Sequence, residues 1–140
     1  MVQPGVVASG FAPAGRTPLW WAARVGWAAL WLFYAAFAGV EVWNHGVLAL
    51  VATVAFFVAP DLAMAIDAKN GGHGSLGPRA VPFYNAAHRT AVPLALAVAY
   101  SVSPLDAPAL FAGLLGWLGH IAMDRTFGYG LRATDGSRRG

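Results

Sequence analysis

The sequence contains no cysteine. Its absence excludes disulfides, zinc-thiolate centres and iron–sulfur clusters, and leaves the redox compartment open. Charge is almost as scarce: 11% of the 140 residues are charged, against 58% hydrophobic, with a mean hydropathy of +0.56. A soluble domain of this length needs more charge to cover its surface, so the apolar residues are expected to face lipid. No Gly-Lys-Ser/Thr opens a helix as a phosphate-binding loop would, and no His-Glu-x-x-His, nucleophile elbow, kinase motif or nucleic-acid module is present. Met1 to Pro18 has no basic stretch ahead of an apolar core, so it does not read as a cleavable signal peptide.

What is there is organised in long apolar runs. A bilayer core of about 30 Å takes roughly 20 apolar residues in a helix. Stretches of that kind run from Leu19 to about Val40, His45 to Ile66, Val81 to about Val102, and Ala107 to about Phe127. The pattern predicts an all-α, four-helix transmembrane bundle in one domain, 19–131. A proline- and glycine-rich flexible tail, 1–18, precedes it and a basic tail, 132–140, follows. Tight turns are expected over Glu41 to Asn44 and Ser103 to Asp106, making consecutive helices antiparallel neighbours. Asp67 to Arg79, with Gly71, Gly72, Gly74 and Gly77, reads as a flexible loop.

Orientation follows from Lys and Arg, which favour the cytoplasmic side. Arg16, Arg24, Lys69, Arg79, Arg89, Arg125, Arg132, Arg138 and Arg139 all fall on one side of this arrangement. The opposite turns carry Glu41 and Asp106 and no basic residue. The expectation is a multi-pass protein of the inner (plasma) membrane with both termini cytoplasmic. Its basic residues set topology and meet anionic lipid rather than nucleic acid. Trp20 and Trp21 lie about 33 Å from Trp43 along a helix, a spacing that suits aromatic belts at both interfaces.

Polar residues inside these runs are costly and usually face the bundle interior with partners. Asp61, His88, Arg89, His120, Asp124 and Arg125 are of this kind. His88 and His120 each lie about 10 Å from the cytoplasmic end of their helices, and Asp61 is at a similar depth. His120 and Asp124 share a face at i,i+4, and Asn85 and His88 do so at i,i+3. Pro60 and Pro93 each deprive a carbonyl of its helical partner, which is tolerated where backbone lines a protected cavity. Gly113, Gly116 and Gly119 offer a small surface for close helix approach.

The strings Pro60-Asp61-Leu62-Ala63-Met64, Tyr84-Asn85-Ala86-Ala87-His88 and His120-Ile121-Ala122-Met123-Asp124-Arg125, followed by Gly128-Tyr129-Gly130-Leu131, resemble the domain of unknown function 4260 family of small bacterial membrane proteins. The resemblance spans about Val54 to Arg132 and implies membrane location. It marks Asp61, Asn85, His88, His120, Asp124 and Arg125 as motif positions and brings no activity with it. After Met64 the chain departs from the family's usual short loop.

Three readings of the polar cluster follow from its chemistry. Asp61, His88, His120 and Asp124 are a normal ligand set for a divalent metal, which would give a metal-dependent, hydrolase-like site. Alternatively, Asp61 pairs with Arg89 or Arg125 and the histidines bond across helices, so that the cluster is structural and the protein non-catalytic. A small transporter or proton relay is the third. Substrate, metal identity and oligomeric state are not written in the sequence.

Overall fold

The computed structural model describes residues 17–139. Almost all of the expected N-terminal tail, with Arg16, lies outside the described residues. The fold is all-α: α1 (Pro18–Leu62), a 3-10 segment (Ala63–Asn70), α2 (Val81–Ala87), α3 (Ala91–Ser101) and α4 (Pro108–Phe127). The described residues contain no strand, only an isolated antiparallel bridge between Arg132 and Arg138.

The start of α1 follows its sequence. Thr17 accepts a hydrogen bond from the Trp20 amide at 3.3 Å, and Pro18 occupies the first turn, where a missing N–H costs nothing. The helical run breaks at Gly46, at φ 72° and ψ −153°, a region that is essentially closed to other residues. The break is a reversal. Arg24 donates to the Thr126 carbonyl at 2.6 Å, while Asp61 meets Asp124 through two shared histidines. A straight helix would hold Arg24 and Asp61 about 55 Å apart, yet α4 is only about 30 Å long. Both ends of α1 therefore meet the same end of α4.

This moves the first turn from the expected Glu41–Asn44 to Gly46. Glu41 and His45 stay helical, paired at 3.3 Å one turn apart. The polar side chains that suggested a turn instead bond along the helix.

α4 is the centre of the bundle. From Ala112 to Ala122 every residue but Trp117 is buried. The limb of α1 before Gly46 runs antiparallel to it, with Arg24 at Thr126 and Tyr34 beside Gly119. The limb after Gly46 runs parallel to it, with Thr53 donating to the Ala112 carbonyl at 3.3 Å. α3 packs antiparallel, placing Ala97 against Leu114 and Leu118 and stacking Tyr100 on Phe111. A Cβ on Gly116 would lie 2.4 Å from the Thr53 carbonyl oxygen, so the parallel limb approaches as closely as it does only over glycine. Gly119 has no such neighbour: its nearest contact would be 3.8 Å.

The third expected span is not one helix. α2 ends at Ala87, His88 takes φ −100° and ψ 10°, and α3 begins at Ala91. Pro93 explains the location. It has no N–H for the Arg89 carbonyl, which accepts from Val92 at 3.0 Å instead. The second span also ends early, at Leu62, continuing as 3-10 helix to Asn70.

Candidate metal centre

Asp61 is carried on the last turn of α1, His88 on the break after α2, and His120 and Asp124 on successive turns of α4. The fold brings one ligand atom from each within 4.8 Å of all the others. His88 Nε2 lies 3.1 Å from His120 Nε2, 3.5 Å from Asp61 Oδ1 and 3.4 Å from Asp124 Oδ2. His120 Nε2 lies 3.5 Å from Asp61 Oδ1 and 3.7 Å from Asp124 Oδ2.

One tautomer is dictated. His88 Nδ1 is 2.9 Å from the Tyr84 carbonyl oxygen, an acceptor only, so Nδ1 carries the proton. In the neutral ring Nε2 therefore points a lone pair into the cluster, toward two carboxylate oxygens and a second imidazole nitrogen. A proton on His120 Nε2 would bridge the two rings, as the structural reading expects, and a metal cation between the four groups would equally offset their facing lone pairs and charges. Ligands at 2.0–2.1 Å from a tetrahedral ion stand roughly 3.3–3.4 Å apart. The five separations that involve a histidine, 3.1–3.7 Å, fall around that value.

The surroundings hold the two rings differently. His88 is 2% exposed, stacked on Tyr84 with ring centroids 3.8 Å apart, and hydrogen-bonded through Nδ1. The break that carries it is braced by α4: Trp117 donates to the Ala87 carbonyl at 2.7 Å and Arg125 to the His88 carbonyl at 3.2 Å. His120, equally buried, is set by its place on α4 and by the edge of Phe57, with centroids 5.3 Å apart. Its Nδ1 is buried with no hydrogen-bond partner. Asp124 is largely covered, whereas the Asp61 side chain is 43% exposed. The open side of the cluster is therefore at Asp61.

The remaining sequence candidates have other duties. Arg125 braces the His88 backbone and makes no ion pair with Asp61 or Asp124. Arg89 is exposed and likewise has no acidic partner within the described residues. The ion pairs Asp61 makes are with His88 and His120, so the arginine pairing expected of a structural network does not form. Asn85 turns from the cluster to residue 132, accepting from its N–H at 2.7 Å and donating to its carbonyl at 2.9 Å.

That contact exposes what the sequence reading missed. Residues after α4 fold back, and Arg132, grouped with the topology-setting arginines, is only 9% exposed. The Thr134-Asp135-Gly136-Ser137 stretch is the available signal, since an Asp-Gly pair commonly reverses a chain. Gly136 at φ +86° turns it, and its carbonyl accepts from the Leu76 amide at 3.0 Å. The glycine-rich loop is likewise tied down. Asp67 accepts from Asn70 at 2.6 Å and from the Arg79 amide at 3.0 Å.

No curated protein and no solved structure matches this chain. A family model does, over residues 24–139, a span that takes in both limbs of α1, the broken third segment, α4 and all four clustered side chains. The chain belongs to the family described as domain of unknown function (DUF4260).

Proposed function

We propose that this protein is a four-span membrane protein, both termini cytoplasmic, holding a divalent metal ion between Asp61, His88, His120 and Asp124 for a hydrolase-like reaction on a lipid-like or small substrate. The observation that carries the metal reading is the convergence of four ligand atoms around the fixed lone pair of His88 Nε2. The membrane reading is supported by α1, which with its 3-10 extension is long and apolar enough to cross a bilayer. It is supported too by the outward array of Leu19, Val25, Leu32, Phe33, Phe37, Val47 and Leu48, all exposed. Soluble monomers rarely present so continuous an apolar surface.

When bound, a divalent ion supplies Lewis acidity and makes water a nucleophile near neutral pH. The chain's own residues set the conditions for that. The Tyr84 carbonyl fixes the His88 tautomer, and such backbone partners are how ligating imidazoles are usually oriented. Phe57 and Tyr84 cover the ring faces and keep bulk water from that side. Asp61, the exposed ligand, marks the side from which a substrate reaches the cluster.

A second reading has an observation of its own. Four protein ligands complete a tetrahedral shell, as structural metal sites do, so the ion would clamp α1, α2 and α4 with no reaction. Metal content separates both readings from a metal-free network, and hydrolytic activity separates them from each other.

The test is to purify the protein in mild detergent without a histidine tag and measure metal per chain. One equivalent is expected in the wild type, near none in His88→Ala or His120→Ala, and weakened retention in Asp61→Asn. A wild type free of metal, and not stabilised by added zinc, manganese or iron, retires the proposal. For topology, a membrane-impermeant thiol reagent on intact cells should label Ser103→Cys and spare Ser75→Cys. Labelling of Ser75→Cys from outside overturns the four-span arrangement.

A further inference from the structure

Beside the metal cluster lies a cavity of about 200 Å³ lined by Asp61, Met64, Tyr84, Asp124, Tyr129 and Arg132. It is smaller than the roughly 300–1,000 Å³ of pockets that enclose whole drug-sized ligands. It suits a head group. Two of its walls are the carboxylates of the proposed metal site, and the wall supplied by Arg132 carries the opposite charge.

Arg132 is placed with unusual care for a residue in a C-terminal segment. Asn85 grips its backbone from both sides. Its Nη1 donates to the Gly74 carbonyl at 2.8 Å, and its guanidinium stands 5.7 Å from the Tyr84 ring centroid. No carboxylate of the described residues lies within ion-pair distance of it, although it is 9% exposed. A buried charge without a counter-ion is costly to keep. The rim adds to the field. Arg138 lies over Tyr129 at 5.0 Å, and Arg125 donates to the Tyr129 carbonyl at 3.4 Å.

We propose that this cavity is a phosphoryl-binding subsite, in which the Arg132 guanidinium and the bound metal hold the oxygens of one phosphate group between them. The inference rests on the metal reading, because Asp61 and Asp124 would repel an anion unless an ion neutralised them. A guanidinium presents five N–H donors in a rigid fork matched to phosphate oxygens. One is taken by Gly74 and another is engaged by the Tyr84 side chain, which leaves further donors of the fork for an anion. The Arg132–Tyr84 pair thus lines the same cavity as the ligands Asp61 and Asp124. The phosphoryl group has two sources that this chemistry does not distinguish, a phospholipid head group and free phosphate.

The experiment measures binding to detergent-purified, zinc-loaded protein by calorimetry, using inorganic phosphate, short-chain phosphatidic acid and, as a phosphate-free amphiphile, short-chain diacylglycerol. Binding of phosphatidic acid alone assigns the subsite to a lipid head group, binding of phosphate alone to the free ion, and binding of both to either source. Each of these supports the subsite when diacylglycerol does not bind. Arg132→Gln should weaken the anion about tenfold to a hundredfold, Arg132→Lys should recover part of that loss, and both should retain stoichiometric zinc. Retained zinc also reports that the variants are folded. Zinc-loaded wild type that binds neither anion overturns the subsite and leaves the metal reading intact. So does anion affinity unchanged by Arg132→Gln. A protein that takes up no zinc fails the metal reading itself, and the subsite falls with it.

Discussion

The two ends of the bundle solve opposite problems. At the Gly46 end, one residue with a positive φ reverses the chain, and the neighbouring connection is closed locally, with Ser103 donating to the Tyr100 carbonyl at 2.8 Å. The polar groups there, such as Glu41 with His45 and Ser103 with Tyr100, bond within their own segment, and among the described residues no ion pair joins two helices at this end. At the far end, α1, α2 and α4 all deliver acid or imidazole to one point, and the loop and the C-terminal segment fold over it. The first end could be rebuilt from any sequence able to make a tight turn. The second depends on particular atoms, including two backbone carbonyls left free by a broken helix and recaptured by Trp117 and Arg125. Stability at one end is a matter of backbone geometry, and at the other, on the metal reading proposed above, it would be linked to a bound cation.

That contrast can be tested by removing the cation. Chelation of metal-loaded protein should loosen the cluster end and leave the Gly46 end alone. A ligand at a thousand times its dissociation constant stabilises by about 4 kcal/mol, so this is the largest expected effect. Hydrogen exchange should quicken at the α2–α3 break and in the C-terminal fold-back, while α1 amides near Gly46 keep their protection. Uniform loosening of both ends would erase the distinction. Gly46→Ala is the converse. Backbone strain of this kind costs about 1–3 kcal/mol, so the melting temperature should fall while metal per chain stays constant. Loss of metal in that variant would show the ends to be coupled.

The parts of the molecule legible in the sequence are those set by local pattern. Apolar runs of bilayer length gave the helical segments, and equal depth along three of them brought Asp61, His88, His120 and Asp124 to one level. What was not legible depends on partners distant in sequence. Pro93 announces a lost hydrogen bond, but the opening at His88 is met by donors 30 and 37 residues on, Trp117 to the Ala87 carbonyl and Arg125 to the His88 carbonyl. Glu41 to Asn44 looked like a turn on polarity alone, whereas the dihedral that reverses the chain belongs to Gly46. Arg132 looked like one more cytoplasmic arginine because its burial requires Asn85, far away on α2. The glycine-rich loop looked flexible because its order comes from the Asp67 carboxylate and from bonds to Arg132 and Gly136, far along the chain.

That carboxylate supplies the smallest and most local prediction. Asp67 is buried within its own loop. The hydrogen bond from Asn70, reinforced by the Arg79 amide, holds its carboxyl below the ordinary carboxylate range, against an opposing push from burial. A carboxyl whose pKa is depressed by folding stabilises the fold fully above its unfolded pKa, about 3.9, and loses that contribution as pH falls through the lower folded value. The loop should therefore be indifferent to pH from neutrality down to about 4 and should loosen only on further acidification. The Arg79 amide reports this directly, since it donates to Asp67 Oδ2 at 3.0 Å. Its proton chemical shift should hold steady across the upper range and move only in strong acid. Asp67→Asn should abolish that acid step without altering metal content, because Asp67 is not one of the four clustered residues. A shift that moves between pH 7 and 5 would place control of the loop in a histidine instead, and would tie the loop's order to the cluster rather than to its own internal bonds.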